Sequence, residues 1–202
     1  PFRELDTFPN LNLLRAAERA GVGRFAYVTL LGADRLRGNA YVDAHEAVVD
    51  ALRDSQVAAT VIRANGFFSI YDELLDMARK GRARIIGNPD ARHNPVHDAD
   101  LAIACADALD AGADEVEVGG PEILTRREEV ELANDAVGRG RAAKRMPSAI
   151  TRGGALLLRP VNPRRAAMLD LNERVCAEDM VGPPHGERRL EDYLRERAAA
   201  TG

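Results

Sequence analysis

Lysine is nearly absent from this chain: Lys80 and Lys144 are the only two among its 28 basic residues, the rest being arginine. A catalytic lysine therefore has almost nowhere to be. Cysteine is equally sparse. Cys105 and Cys176 lie in helix-like sequence without Cys-x-x-Cys spacing, which fits two reduced, buried or half-buried thiols in a cytoplasmic protein. No apolar run approaches the ~18 residues of a membrane span. The longest patches, such as Ala155 to Leu158, are far shorter, so no membrane partner is expected. Basic residues are not in excess. The net charge is −4, the signs read as interspersed, and there is no basic footprint for nucleic acid. A nucleophile elbow, a P-loop, an H-E-x-x-H zinc motif, internal repeats and low-complexity tracts are all missing. Residues 1–21 read as a charged amphipathic helix rather than a signal peptide. With no initiator Met, Pro1 need not be the natural start.

What the sequence does contain is alternation. Leu11, Leu14, Ala17 and Gly21 form a helical stripe from about Asp6 to Ala20, and Gly21 and Gly23 stop it. Phe25–Thr29 then reads as a strand covered on both faces. A Gly/Asp/Asn-rich loop follows, then a helix from about Tyr41 to Ser55 and a second strand at Ala59–Ile62. Further helices are expected at Ser69–Lys80, from a cap at Asp98 to Leu109, at Arg126–Val137, Ser148–Leu158, Pro163–Asp179 and Arg188–Ala200. Short strands are expected at Arg84–Ile86 and Glu115–Val118. Thr125-Arg126-Arg127-Glu128 has the form of a capping box. Such alternation predicts an α/β fold with a mostly parallel sheet. At 202 residues it makes one domain, or one domain with a small appendage.

The stretch from Arg24 to Phe68 holds the chemistry-bearing residues. Tyr41 and His45, four apart, share one helix face. A phenol is a proton donor whose pKa, near ~10, falls beside a positive charge. Histidine, with a reference pKa near ~6.5, is mostly neutral at pH 7 and supports a phenolate poorly. The same spacing also describes a core-packed tyrosine with a half-exposed histidine. Thr29 ends the first strand, where ligand contacts gather in open α/β sheets. Its hydroxyl suits a substrate carbonyl, and its β-branch equally suits a strand. Ala64-Asn65-Gly66-Phe67 ends the second strand. There Gly66 permits close backbone approach and the aromatics suit a flat ring, or simply a turn and core packing. His93, His97, Asp98 and Asp100 fit no common zinc spacing, so no metal is expected.

The run Asn12 to Val22 followed by Arg24 to Thr29 resembles the fourth helix and fifth strand of atypical, extended-type short-chain dehydrogenase/reductases, in their NmrA-like and nucleoside-diphosphate-sugar-epimerase-like branch. Tyr41-x-x-x-His45 falls where that family has Tyr-x-x-x-Lys. Arg63-Ala64-Asn65-Gly66-Phe67-Phe68 is similar to its Arg-Pro-x-Gly-Phe-Phe. Asn94 to Ala102 and Gly119 to Thr125 are similar to its later substrate-side motifs. The resemblance covers Asp6 to Val137 and, more loosely, the tail to Asp192. It implies the C-terminal part of a Rossmann-like doubly wound parallel sheet (1–66) interleaved with a small, mainly helical substrate-side subdomain (67–202). It also implies NAD or NADP as cofactor, contacted by Ala64, Asn65, Gly66 and Phe67, and a small-molecule substrate. Tyr41 would be the proton donor, Thr29 the carbonyl partner, and His45 would stand in the lysine's place. The activity implied is carbonyl reduction or hydroxyl oxidation; the alternatives are a non-catalytic NAD(P)-sensing or assembly protein, or an inactive fragment. The family's Gly-x-x-Gly-x-x-Gly phosphate loop does not occur in these 202 residues. A sheet without its earlier strands would have an apolar open edge, which predicts a homo-oligomer or a covering helix.

Overall fold

The computed structural model describes residues 2–200, and its frame is a three-stranded parallel sheet. Strands β1 (Arg24–Leu30), β2 (Ala58–Ala64) and β5 (Glu115–Val118) stand in the order β1-β2-β5, with Thr29 level with Arg63 and Ala64 level with Val118. Helices α1 (Phe8–Ala20) and α2 (Ala40–Arg53) cover one face. There Leu14, Tyr27, Val48, Val49, Leu52 and Val61 form a single core. Helix α4 (Asp98–Asp110) covers the other face, where Ile62, Val118, Leu101 and Ala104 pack together. Because strand side chains alternate, Tyr27 and Val61 serve the first core and Val28 and Ile62 the second. The sheet is parallel, as the alternation predicts, and has helices on both faces, as the resemblance implies. Its α4 and β5 come from beyond residue 66.

A third core gathers helices α3 (Tyr71–Arg79), α5 (Arg126–Ala136) and α8 (Leu190–Ala200) around Phe68, Leu75, Ala133 and Leu194. Two-residue strand pairs brace it: β3 (Arg84–Ile85) beside β7 (Lys144–Arg145), and β4 (Arg92–His93) beside β6 (Leu124–Thr125). Helices α6 (Ser148–Leu158) and α7 (Pro163–Val175) form a hairpin attached to α2 through α7.

The termini of the helices follow local chemistry. Gly21 closes α1 with φ +66°, a conformation open to glycine. The capping box at Thr125 is present in full, with Glu128 accepting from the Thr125 backbone at 2.7 Å. Several boundaries differ from the sequence reading, among them the following three. The first helix starts earlier, as a π-helical turn at Arg3–Thr7. His97, not Asp98, caps α4: its ring Nδ1 accepts from the Ala99 N–H at 3.0 Å, while Asp98 accepts from Ser69. Helix α7 stops at Val175 rather than Asp179, because Asp179 accepts from the Arg92 backbone and guanidinium, both at 2.8 Å. Among the described residues no helix is long and apolar enough to cross a membrane.

Candidate functional site

Asn39 fixes the first turn of α2. Its side-chain oxygen accepts from the Tyr41 N–H at 3.0 Å, and its amide nitrogen donates to the Ala167 carbonyl and to Asp170, both at 2.8 Å. Tyr41 is thereby held in the opening turn with its ring against His45, the centroids 4.5 Å apart. The Phe2 ring meets Tyr41 edge-on at 5.4 Å. The expected pair does share a helix face. The hydroxyl that meets His45, however, belongs to Tyr27, whose oxygen lies 2.9 Å from Nδ1.

The electrostatics of this group hold every member neutral. Burial, and then the Asp6 carboxylate, raises the Tyr41 phenol above its ordinary value. Burial, followed by the neighbouring Tyr41, Asp6 and Glu46, raises Tyr27 still further, far out of the physiological range. Burial lowers His45, with Asp6 and Glu46 opposing it only in part. A neutral His45 accepting from Tyr27 at Nδ1 carries its proton on Nε2. Tyr41 thus has a neutral imidazole beside it, and its shift shows no cation among the described residues opposing Asp6.

Thr29 sits two residues beyond Tyr27 on β1, hence on the same face. It is buried, and its Oγ1 has no hydrogen-bond partner among the described residues. Leaving a buried hydroxyl unpaired costs about 1–3 kcal/mol. Helix α2 returns antiparallel to β1, which sets Thr29 towards the Tyr41 end of the helix. Beneath this group the Arg63 guanidinium bridges Glu46 of α2 (2.9 Å) and Glu115 of β5 (2.5 Å), tying helix and sheet together.

The end of β2 is built differently. The Ala64 carbonyl accepts from Leu31 at 2.9 Å. The Asn65 amide donates to Asn94 Oδ1 (2.9 Å) and to the Met180 carbonyl (2.6 Å), and its oxygen accepts from Gly66 N–H. Asn94 in turn donates to the Gly120 and Gly182 carbonyls. This buried amide pair fastens four chain segments, and its polar groups are spent within the protein. Phe67 packs half-buried against the Ile62–Val118 core.

His93 lies away from this face, its Nε2 3.0 Å from the Val175 carbonyl and its ring against the Arg126 guanidinium. Burial, then the Arg126 charge, pushes it down to about 3. Two members of the site face were not singled out in the sequence. Tyr27 was legible, since period two puts it beside Thr29. Asp6 was not, because only the fold of the first turn brings it to α2.

No family profile matches the chain. The Arabidopsis thaliana protein "NADH dehydrogenase [ubiquinone] 1 alpha subcomplex subunit 9, mitochondrial" is 28% identical over 133 residues, 61% of this chain. The chain spans about a third of that relative's length, 33%. Among solved structures, NADPH-dependent quinone oxidoreductase QOR2 of Escherichia coli with NADPH superposes with TM-score 0.68 at 21% identity, over 95% of this chain and 70% of that one. UDP-glucose 4-epimerase of Thermotoga maritima with UDP-glucose gives 0.70 at 14%, over 98% and 70%. Human epimerase family protein SDR39U1 with NADPH gives 0.65 at 16%, over 94% and 72%. These likenesses bear out, at the level of fold, the resemblance read from the sequence: the chain has the fold of the atypical, extended short-chain dehydrogenase/reductases.

Proposed function

We propose that this chain is the substrate-side portion of an NAD(P)-dependent oxidoreductase-type protein. In this reading the Thr29–Tyr41 face receives a small carbonyl compound. The observation that carries it is the buried, unpartnered Thr29 hydroxyl at the C-terminal end of a parallel strand, on the face that α2 covers with Tyr41. A ligand carbonyl there would accept from Thr29 and remove the cost of the orphaned group.

The raised pKa of Tyr41 leaves it a protonated phenol at rest, able to donate to an alkoxide as it forms. The same shift makes it a weaker acid, so it sets no preference between carbonyl reduction and hydroxyl oxidation. A nicotinamide dinucleotide, when bound, supplies the hydride. Of the residues expected at that cofactor, Ala64, Asn65 and Gly66 have committed their polar groups internally. Gly66 is backed by Ile70, whose Cδ1 a Cβ there would meet at 3.2 Å, so the half-buried Phe67 ring is the member of this set left to flank a nicotinamide. The fit at the nicotinamide end rests on that ring. No glycine-rich turn between a strand and a helix cradles its phosphates among the described residues. Gly32, after β1, is backed by Met180 and Arg35 side chains.

A second reading, dinucleotide binding without turnover, is favoured by one observation: His45, in the lysine's place, is engaged by Tyr27 and held neutral, so it lends Tyr41 no positive charge. Titration with NADPH and NADH, followed by a search for oxidation in the presence of carbonyl compounds, separates the two.

A further inference from the structure

Charge is not evenly interspersed along this chain. Between Asp135 and Asp170 there are eight Arg or Lys residues and no Asp or Glu, in a chain whose net charge is −4. The acidic excess thus lies wholly outside this stretch. The α6–α7 hairpin falls inside it. Helix α6 packs on α7 through its inner side, where Thr151 is buried and Ala155 and Leu158 are half-buried.

The outer side of α6 is apolar. Ile150, Gly153, Leu156 and Leu157 fall there by helical spacing, and Val161 follows in the turn. Ile150, Leu156, Leu157 and Val161 are 61%, 69%, 78% and 82% exposed, the four highest values among the large apolar residues described. Arg152 and Arg159 run one helical repeat apart along the rim of this patch, and Arg164 and Arg165 open α7 beside Val161. All four are exposed. Arg159 and Arg165 have no ion-pair partner among the described residues, whereas Arg152 holds Glu173 at 2.9 Å.

Clustered aliphatic tips flanked by the Arg159 and Arg165 guanidinium groups match the interface of an anionic bilayer. Arg152, on Glu173, and Arg164, over the Phe2 ring at 5.3 Å, are exposed cations at the rim. The tips enter the boundary between headgroups and acyl chains, and the cations meet the headgroups. Nucleic acid is the poorer match, because residues 136–169 hold no aromatic ring to stack on a base. We propose that the α6–α7 hairpin docks this protein on anionic membrane surfaces through Ile150, Leu156, Leu157 and Val161, with Arg152, Arg159, Arg164 and Arg165 around them. The absence of a spanning run, which led the sequence reading to exclude a membrane, does not bear on a helix lying in the interface. This inference stands apart from the redox reading.

Flotation of the 202-residue chain with vesicles tests it. The chain binds phosphatidylcholine–phosphatidylserine vesicles and not pure phosphatidylcholine ones, and added salt weakens the binding. Replacing both leucines, Leu156→Ser with Leu157→Ser, lowers the partition coefficient about tenfold or more. Arg159→Gln with Arg165→Gln lowers it by roughly fivefold per charge. Ile123→Ser, an exposed apolar site elsewhere, leaves it unchanged. Circular dichroism shows the variants folded. No binding at low salt, binding indifferent to the leucine pair, or retention by a DNA duplex in place of vesicles overturns the proposal.

Discussion

The Tyr27 hydroxyl stands 2.9 Å from His45 Nδ1, so the imidazole one turn along α2 from Tyr41 is tied to the sheet. Burial, and then the Asp6 carboxylate, holds the Tyr41 phenol protonated, while buried His45 adds no positive charge to oppose them. Replacing His45 by lysine reverses that field. The Tyr41 pKa is expected to fall by about one unit or more in His45→Lys. Absorbance titration of tyrosinate, with Tyr41→Phe as reference, measures it; an unchanged or higher midpoint would count against the electrostatic account.

Glu46 and Arg63 form the buried joint between α2 and β2, at 4% and 11% side-chain exposure. Removing Glu46 leaves the Arg63 charge with Glu115 as its remaining carboxylate. Glu46→Ala is therefore expected to lower unfolding free energy by about 3 kcal/mol, the loss being limited because Glu115 still holds Arg63. Urea denaturation measures it, and a loss under about 1 kcal/mol would show that the joint is solvated.

Two glycines are expected to respond in opposite ways to alanine. A Cβ on Gly120 would overlap the Pro95 carbonyl oxygen, in the segment that Asn94 ties to β5. Gly120→Ala should destabilise the fold by several kcal/mol or abolish it. A Cβ on Gly154, inside α6, meets nothing within 4 Å. Gly154→Ala should stabilise by about 0.5–1 kcal/mol through helix propensity. Thermal melts of the pair check both signs.

Histidine sets a pH dependence above the carboxylate range. His93, at about 3, stays neutral while the unfolded chain takes up a proton near ~6.5. The unfolded state then binds more protons throughout that interval, so stability is complete above about pH 6.5 and falls as pH drops below it. His45, also lowered, adds in the same direction. The urea midpoint at pH 5.5 should lie below that at pH 7.5, and His93→Gln should reduce the difference. An unchanged pH difference in the variant would remove His93 from the explanation.

The strands were legible because Phe25–Thr29 and Ala59–Ile62 are short apolar runs bounded by turn residues, a pattern that a sheet buried on both faces imposes. The capping box at Thr125 was legible because it is local. What sequence could not supply is pairing over distance. Asp98 and His97 are both competent caps, and Ser69, 29 residues before Asp98, decides between them by engaging it. Asp179 ends α7 early by pairing with Arg92. Tyr27 took the His45 nitrogen that the spacing rule assigned to Tyr41's company, and Asn65, read as a cofactor contact, spends its amide on Asn94 and Met180.

The most direct test of the oxidoreductase reading is NADPH oxidation by this chain across a set of quinones and aldehydes, with Tyr41→Phe and Thr29→Val measured beside it. The account predicts NADPH binding and carbonyl-dependent oxidation, with Tyr41→Phe slower by about 100-fold or more. Binding with no oxidation would favour the second reading. No binding at millimolar NADPH, or oxidation indifferent to Tyr41, would contradict the account.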